Sequence, residues 1–276
     1  MEKANIQYCV VTGGASGIGK ALCEHLASAG AKGICVVDMN KENAQKVAVA
    51  LPCNAIAVSA NCGVEMDLRK VVNTAWAAFG GIDAWFSNAG IPSNGGINVP
   101  NDEWDRIWRV NSMQHVWSAR HLFPRWKARG KAGSFVITAS AAGLLTQVGS
   151  LPYSVTKHAA VSMAEWLAIT HKDDGIKIHC LCPQAVQTGM MGEPDSEMSE
   201  GGPAGGDGVM QPEDVAAEVL KCMNENKFLI LPHKEVAKYM QRKATDYDRW
   251  LNGMGRMHST FGKFMLDSPG ITAAKL

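Results

Sequence analysis

Short apolar runs alternate with amphipathic stretches of helix length almost from the first residue, and no other feature limits the possible folds as much. Residues 8–11, 33–37, 55–59, 83–87, 134–139 and 177–181 are rich in Val, Ile, Cys and Phe and bounded by turns. That is the pattern of strands buried on both faces. Between them, residues 18–29, 41–51, 65–79, 102–129 and 153–172 carry apolar side chains at helical spacing. Such alternation builds a parallel sheet covered by helices on both sides. The expected architecture is an α/β doubly wound parallel sheet forming a single domain over residues 1–276.

The pattern changes after residue 190. Residues 193–210 hold five glycines, two prolines and several acidic residues, which reads as a mobile surface loop over a substrate. A helix at 212–226 and a strand at 228–231 then complete the alternation. Residues 233–257 form a C-terminal helical extension, with Val236, Met240, Tyr247, Leu251 and Met254 along one face and Ala244 bridging a gap.

Composition narrows the function classes. At 46% hydrophobic the chain can bury a core, and 27 basic against 26 acidic residues leave a formal charge of +1. A nucleic-acid or anionic-membrane binder needs a basic face, so neither partner is expected. No apolar run approaches the roughly 18 residues of a membrane span. Residues 1–5 lead into the first strand without a signal-like apolar region. A soluble, intracellular, cytoplasmic protein is expected. The eight cysteines lack metal or redox spacing, and His179, Cys180 and Cys182 do not all present their side chains to one face of a strand. They read as buried free thiols, with no metal and no disulfide.

The first strand runs into Thr12-Gly13-Gly14-Ala15-Ser16-Gly17-Ile18-Gly19 and then a helix. A glycine-rich strand-to-helix turn lets the backbone approach a pyrophosphate, and the helix N-terminus offers N–H groups and positive dipole. This is the Rossmann-type arrangement. Asp38, at the tip of the second strand, can accept hydrogen bonds from ribose hydroxyls and would repel a 2′-phosphate. Met39 follows, and Ser16 occupies the turn, so no basic residue stands ready for that phosphate. NAD is therefore the expected cofactor.

The glycine spacing resembles that of short-chain dehydrogenase/reductases of the short branch. Asn88-Ala89-Gly90, Asn111, Ser140, the Tyr153/Lys157 pair thirteen residues beyond the serine, and residues 183–188 follow in that family's order. The resemblance covers residues 8–190. It implies a cofactor site built from Gly13, Ser16, Gly17, Ile18, Gly19, Asp38, Asn61, Cys62, Asn88, Ala89, Gly90, Tyr153, Lys157, Pro183, Val186 and Thr188. It also implies a catalytic set of Ser140, Tyr153, Lys157 and Asn111. Two positions depart from the family pattern: Asn61-Cys62 replaces an aspartate and a small apolar residue, and Gln184 replaces glycine.

The Tyr153/Lys157 pair also makes chemical sense on its own. Residues four apart share a helix face, so the ammonium can sit near the phenol. A free tyrosine titrates near pH 10, and a nearby cation favours phenolate. Tyr153 is thereby expected to be poised as general acid/base, with Ser140 holding the substrate oxygen. The resemblance adds that Lys157 binds the nicotinamide ribose, that Asn111 anchors a proton-relaying water chain, and that Val186 and Thr188 hold the carboxamide.

The expected reaction interconverts a secondary alcohol and its ketone by hydride transfer. Leu144, Leu145, Leu151, Met190 and Met191 suggest a lipid-type alcohol, whereas the near-zero net charge suggests an uncharged one. A non-catalytic NAD-sensing or scaffold protein of the same fold is the alternative, with an epimerase or dehydratase further behind. The resemblance further implies a homodimer or homotetramer pairing through the long helices. The tail Ala274-Lys275-Leu276 is similar to a peroxisomal address in a eukaryote.

Overall fold

The computed structural model describes residues 6–191 and 205–262. Most of the loop expected at 193–210 and the Ala274-Lys275-Leu276 tail lie outside the described residues. Seven parallel strands form one sheet in the order β3-β2-β1-β4-β5-β6-β7. They are β1 (Tyr8–Thr12), β2 (Gly33–Asp38), β3 (Asn54–Ser59), β4 (Ala84–Ser87), β5 (Ser134–Thr138), β6 (Lys177–Leu181) and β7 (Leu229–Ile230). The chain winds outward from β1 to β3 and then returns to β4 on the other side of β1. Val10 thus stands between Cys35 and Trp85. The order reverses between β1 and β4, and a crevice opens there beyond the strand ends.

Strand alternation divides the core into two layers. Val10, Cys35, Val37 and Trp85 pack with α3 (Glu65–Phe79), α5 (Gln114–Ala128) and α7 (Leu151–Thr170). Cys9, Val11, Ile34 and Val36 pack on the opposite face with α1 (Gly17–Ser28), α2 (Lys41–Ala50) and α8 (Pro212–Asn224). Both faces are covered, which is why these strands read as continuous apolar runs rather than as an alternation.

The long helix expected over 102–129 is interrupted. It runs as α4 (Asn101–Trp108), a π-helical turn at Arg109–Met113 and then α5. A π turn re-aims the side chains beyond it, so Trp104, Trp108, Asn111 and His115, which one continuous helix would hold along a single face, are split. Trp108 is exposed, while Asn111 and His115 are fully buried. A short helix α6 (Ala142–Leu145), absent from the sequence reading, follows β5.

The C-terminal extension is two helices, α9 (Glu235–Thr245) and α10 (Tyr247–Met257). Asp246 is extended between them, and its side chain accepts from the Arg249 N–H as the N-cap of α10. Aspartate at such a position favours a cap over a helix interior. The expected apolar face is kept best in α9, where Val236 is fully buried, and is weaker in α10, where Met254 is half-buried. Tyr247 and Leu251 of α10 are both 55% exposed.

Candidate active site

The crevice is a cleft of about 2050 Å³ at the C-terminal edge of the sheet. It is lined by Gly13, Ser16, Gly17, Ile18, Asp38, Asn61, Cys62, Asn88, Ala89 and Gly90 from β1 to β4. Ser140, Tyr153, Lys157, Pro183, Gln184, Val186 and Thr188 line it from β5 to the segment after β6. Every residue expected at the site lines this cleft except Gly19 and Asn111, which support it from beneath.

The glycine turn is shaped by contacts that no side chain would permit. A Cβ on Gly19 would lie 2.0 Å from the carbonyl oxygen of Gly13, and one on Gly17 would lie 2.9 Å from the Thr188 methyl. Gly13 and Gly17 both have positive φ. The bare backbone and the first turn of α1 therefore leave an open concave turn whose N–H groups could hold an anion. At its rim the Asp38 carboxylate accepts from the Ala15 N–H at 3.2 Å and the Asn40 N–H at 3.0 Å. Asn61 closes the next strand end, its Oδ1 accepting from the Gly63 N–H at 2.8 Å.

Asn88 is a clamp between strands. Its Nδ2 donates to the Thr12 carbonyl at 3.0 Å, and its Oδ1 accepts from the Thr138 hydroxyl at 3.1 Å. The Thr12 hydroxyl oxygen accepts from the Asn88 and Ala89 N–H groups at 2.9 and 3.1 Å. Buried Gln114 donates to the Ala89 and Val110 carbonyls. Thr12, Thr138 and Gln114 thus hold the floor of the cleft, and the sequence reading missed all three. A buried glutamine on an otherwise packed helix was the available signal.

Asn111 sits in the π turn. Its amide pairs reciprocally with Ile91, Nδ2 donating to the carbonyl at 3.0 Å and Oδ1 accepting from the N–H at 2.9 Å. That side chain fixes the loop after Asn88-Ala89-Gly90. A Cβ on Gly90 would be 3.5 Å from both the Asn111 Oδ1 and the Lys157 Nζ, so glycine keeps the space between them open.

The reactive groups meet at the ends of β5 and α7. Ser140 and Tyr153 line the cleft together, the Ser140 hydroxyl accepting from the Ala142 N–H at 3.1 Å and acting on the phenol to lower its pKa. Lys157 is buried, and its ammonium donates to the Thr138 carbonyl at 3.0 Å while lying 5.6 Å from the Tyr153 ring centroid. Burial pulls Lys157 down to about 8. Burial likewise pushes Tyr153 up, with Ser140 pulling the other way. The expected lowering of the phenol by Lys157 is thus absent here: desolvation dominates, and the ammonium is turned towards the backbone.

The neighbouring residues behave less uniformly. His158 turns away, bonded to the Ser154 carbonyl. Gln184 lines the cleft with its Oε1 buried and unpartnered among the described residues, while its N–H donates to the His233 Nδ1 at 3.2 Å. Of the apolar residues expected around substrate, Leu145 and Met190 line the cleft. Leu144 packs behind it, and Leu151 lies 37% exposed on α7. Among the described residues no His, Cys, Asp and Glu cluster could hold a metal ion, and no helix is long and apolar enough to cross a membrane.

Residues 7–199 match the family model described as short chain dehydrogenase. The chain is 31% identical over 232 residues to the 1-deoxy-11-beta-hydroxypentalenate dehydrogenase of Streptomyces exfoliatus, 82% of each chain being covered. It is 33% identical over 231 residues to the cyclohexanol dehydrogenase of Acinetobacter sp. (strain SE19), covering 82% of this chain and 90% of that one. A short chain dehydrogenase/reductase from Burkholderia phymatum, solved in complex with NAD, superposes with a TM-score of 0.81. Its sequence identity is 25%, over 90% of this chain and 96% of that one.

Proposed function

The chain belongs to the short-chain dehydrogenase/reductase family, and from that premise we propose that it is an NAD-dependent oxidoreductase interconverting a secondary alcohol and its ketone. One observation carries the reading: Ser140, Tyr153 and Lys157 converge in the same cleft as the glycine turn and Asp38. The relatives named for cyclohexanol and for a hydroxypentalenate support a hydroxyl on a carbon frame as the reacting group.

The turn at residues 13–19 fits a dinucleotide, because its glycines let the backbone pack tightly and leave the start of α1 open to the cleft. Gly13, Ser16, Gly17, Ile18 and Gly19 would hold the pyrophosphate, and Asp38 the adenosine ribose in preference to a 2′-phosphate. Asn61 and Cys62 would flank the adenine. Asn88, Ala89, Gly90, Lys157, Pro183, Val186 and Thr188 would surround the nicotinamide half. When bound, the nicotinamide supplies the hydride acceptor or donor.

The protein's own groups manage the proton. Ser140 holds the substrate oxygen against the Tyr153 hydroxyl. In reduction Tyr153 is the acid, a role its raised pKa favours by keeping the phenol protonated. In oxidation Tyr153 removes the hydroxyl proton, which requires positive charge close by. Lys157 is placed to provide it once its ammonium leaves the Thr138 carbonyl. Asn111, tied to Ile91, keeps the opening beside Gly90 and Lys157 through which the proton can be relayed.

A homodimer or homotetramer accompanies this reading. Leu151, Val155, Trp166 and Ile169 lie on one face of α7, with Trp166 60% and Ile169 77% exposed. A stripe of that size is suited to pairing with a second copy of the chain. Light scattering on the purified protein checks this.

The activity test mixes the protein with NAD and a panel of secondary alcohols and follows absorbance of the reduced cofactor. Turnover is expected, and Tyr153→Phe should abolish it while NAD still binds. NAD binding without turnover of any alcohol or ketone would favour the sensor reading instead.

A further inference from the structure

Resting on that reading, we propose that the substrate carries an anionic group of the carboxylate class and that α9 and α10 recognise it. These helices stand over the reactive end of the cleft. Val236 of α9 packs with Ala141 and Leu145 of the segment that follows Ser140. The Lys243 ammonium fastens α9 to the Leu144 carbonyl at 2.7 Å. The wall they form is basic: Lys238, Arg242, Arg249 and Arg256 all line the cleft. Lys238 and Arg242 are one helical turn apart on α9, and Arg249 and Arg256 two turns apart on α10, so each pair shares a face.

These cations have no carboxylate partner within ion-pairing distance among the described residues. Surface cations elsewhere often do, as in Arg106 with Glu103, Lys127 with Asp174 and Lys221 with Glu218. The two carboxylates on the same wall are already engaged. Asp207 accepts from the Tyr239 hydroxyl at 2.9 Å, and Asp246 caps α10 through the Arg249 N–H at 2.9 Å. Arg242 is held in place, its guanidinium lying 5.6 Å from the Tyr239 ring centroid. Four cations against these two carboxylates leave the described part of the wall with a net positive charge facing the cavity.

A cofactor pyrophosphate does not account for this wall. Its cradle follows β1, two strands away from β5, from whose end Ser140 leads into the α6 segment on which α9 packs. Leu145, Met190, Trp250 and Met254 line the same cleft beside these cations. A molecule with its hydroxyl at Tyr153, an apolar body and an acid group matches a cleft lined by the catalytic set, these apolar side chains and the basic wall. The protein's overall charge near zero conceals a strongly asymmetric site.

The test compares 7-hydroxyoctanoate, its methyl ester and 2-octanol as substrates with NAD. The acid should be favoured at least tenfold in kcat/KM at low ionic strength, mainly through KM, and the advantage should shrink as salt is raised. In Arg242→Glu/Arg249→Glu, two exposed positions that carry no core packing, the ratio of acid to ester should fall at least tenfold. Equal use of all three by the unaltered protein, or a ratio unmoved by the double substitution, overturns the proposal and leaves the dehydrogenase reading standing. Turnover of no alcohol or ketone at all overturns that reading instead.

Discussion

The Lys157 ammonium donates to the Thr138 carbonyl oxygen at 3.0 Å, anchoring α7 to the end of β5. This bond gives the buried lysine a partner that carries no charge, so desolvation outweighs the small opposing effects of Cys182 and Cys180 and the pKa falls to about 8.

A pH profile follows from that value. Below about 8 both Lys157 and the Tyr153 phenol are protonated, the state that ketone reduction needs. As pH rises through about 8 the lysine loses its charge while the tyrosine, pushed up by burial, keeps its proton. The reductive kcat/KM, which reports free-enzyme ionisations, should therefore be level from pH 6 and fall above 8. The profile is measured at saturating reduced cofactor. A rate that stays level to pH 10 would separate Lys157 from the proton-transfer step.

Thr146 sits at the end of α6 with φ 72° and ψ 136°, a conformation that a β-branched residue adopts only under strain. Such strain costs on the order of 1–3 kcal/mol. Glycine relieves it at a chain-entropy cost of roughly 0.5–1 kcal/mol. Thr146→Gly should thus stabilise the fold by about 1 kcal/mol in urea unfolding, and a destabilised variant would mean that the strain is illusory. Because Thr146 lines the cleft, the same variant should loosen the substrate wall and raise KM.

Which parts of this molecule were legible in the sequence depended on how local the information was. The strands, the glycine turn and the Tyr153/Lys157 spacing are local patterns, and the structure places each within a residue or two of its expected position. The breaks were less visible. A π turn at Arg109–Met113 keeps helical composition on both sides, so periodicity alone runs straight through it. Asp246 could have been read as a cap, yet the apolar spacing around it suggested one continuous helix. The basic wall was hidden for a different reason. Lys238 and Arg249 look like ordinary solvated charges until the docking of α9 on α6 decides which face meets the cleft. Similarly, the direction of the Tyr153 shift depended on burial, which spacing does not report.

Acid sensitivity should trace in large part to one buried imidazole. His115 is fully buried, its Nδ1 2.7 Å from the Ser87 hydroxyl oxygen and its Nε2 unpartnered among the described residues. Burial, reinforced by the Lys157 charge, lowers its pKa to about 3. The folded state therefore refuses a proton that the unfolded chain accepts near pH 6.5. With the folded pKa depressed, this contribution is fully present above the unfolded value and is lost as pH falls from 6.5 towards 3. The slope approaches about 1.4 kcal/mol per pH unit in that window. His179, also lowered by burial, adds to the same trend. Replacing His115 with Gln keeps a polar side chain of similar reach but removes the titration. Denaturant unfolding at pH 7 and pH 5 should show a smaller loss of stability for His115→Gln than for the parent protein, by about 2 kcal/mol. Equal losses would mean that His115 charges in the folded state, and that Lys157 therefore has a different electrostatic neighbour.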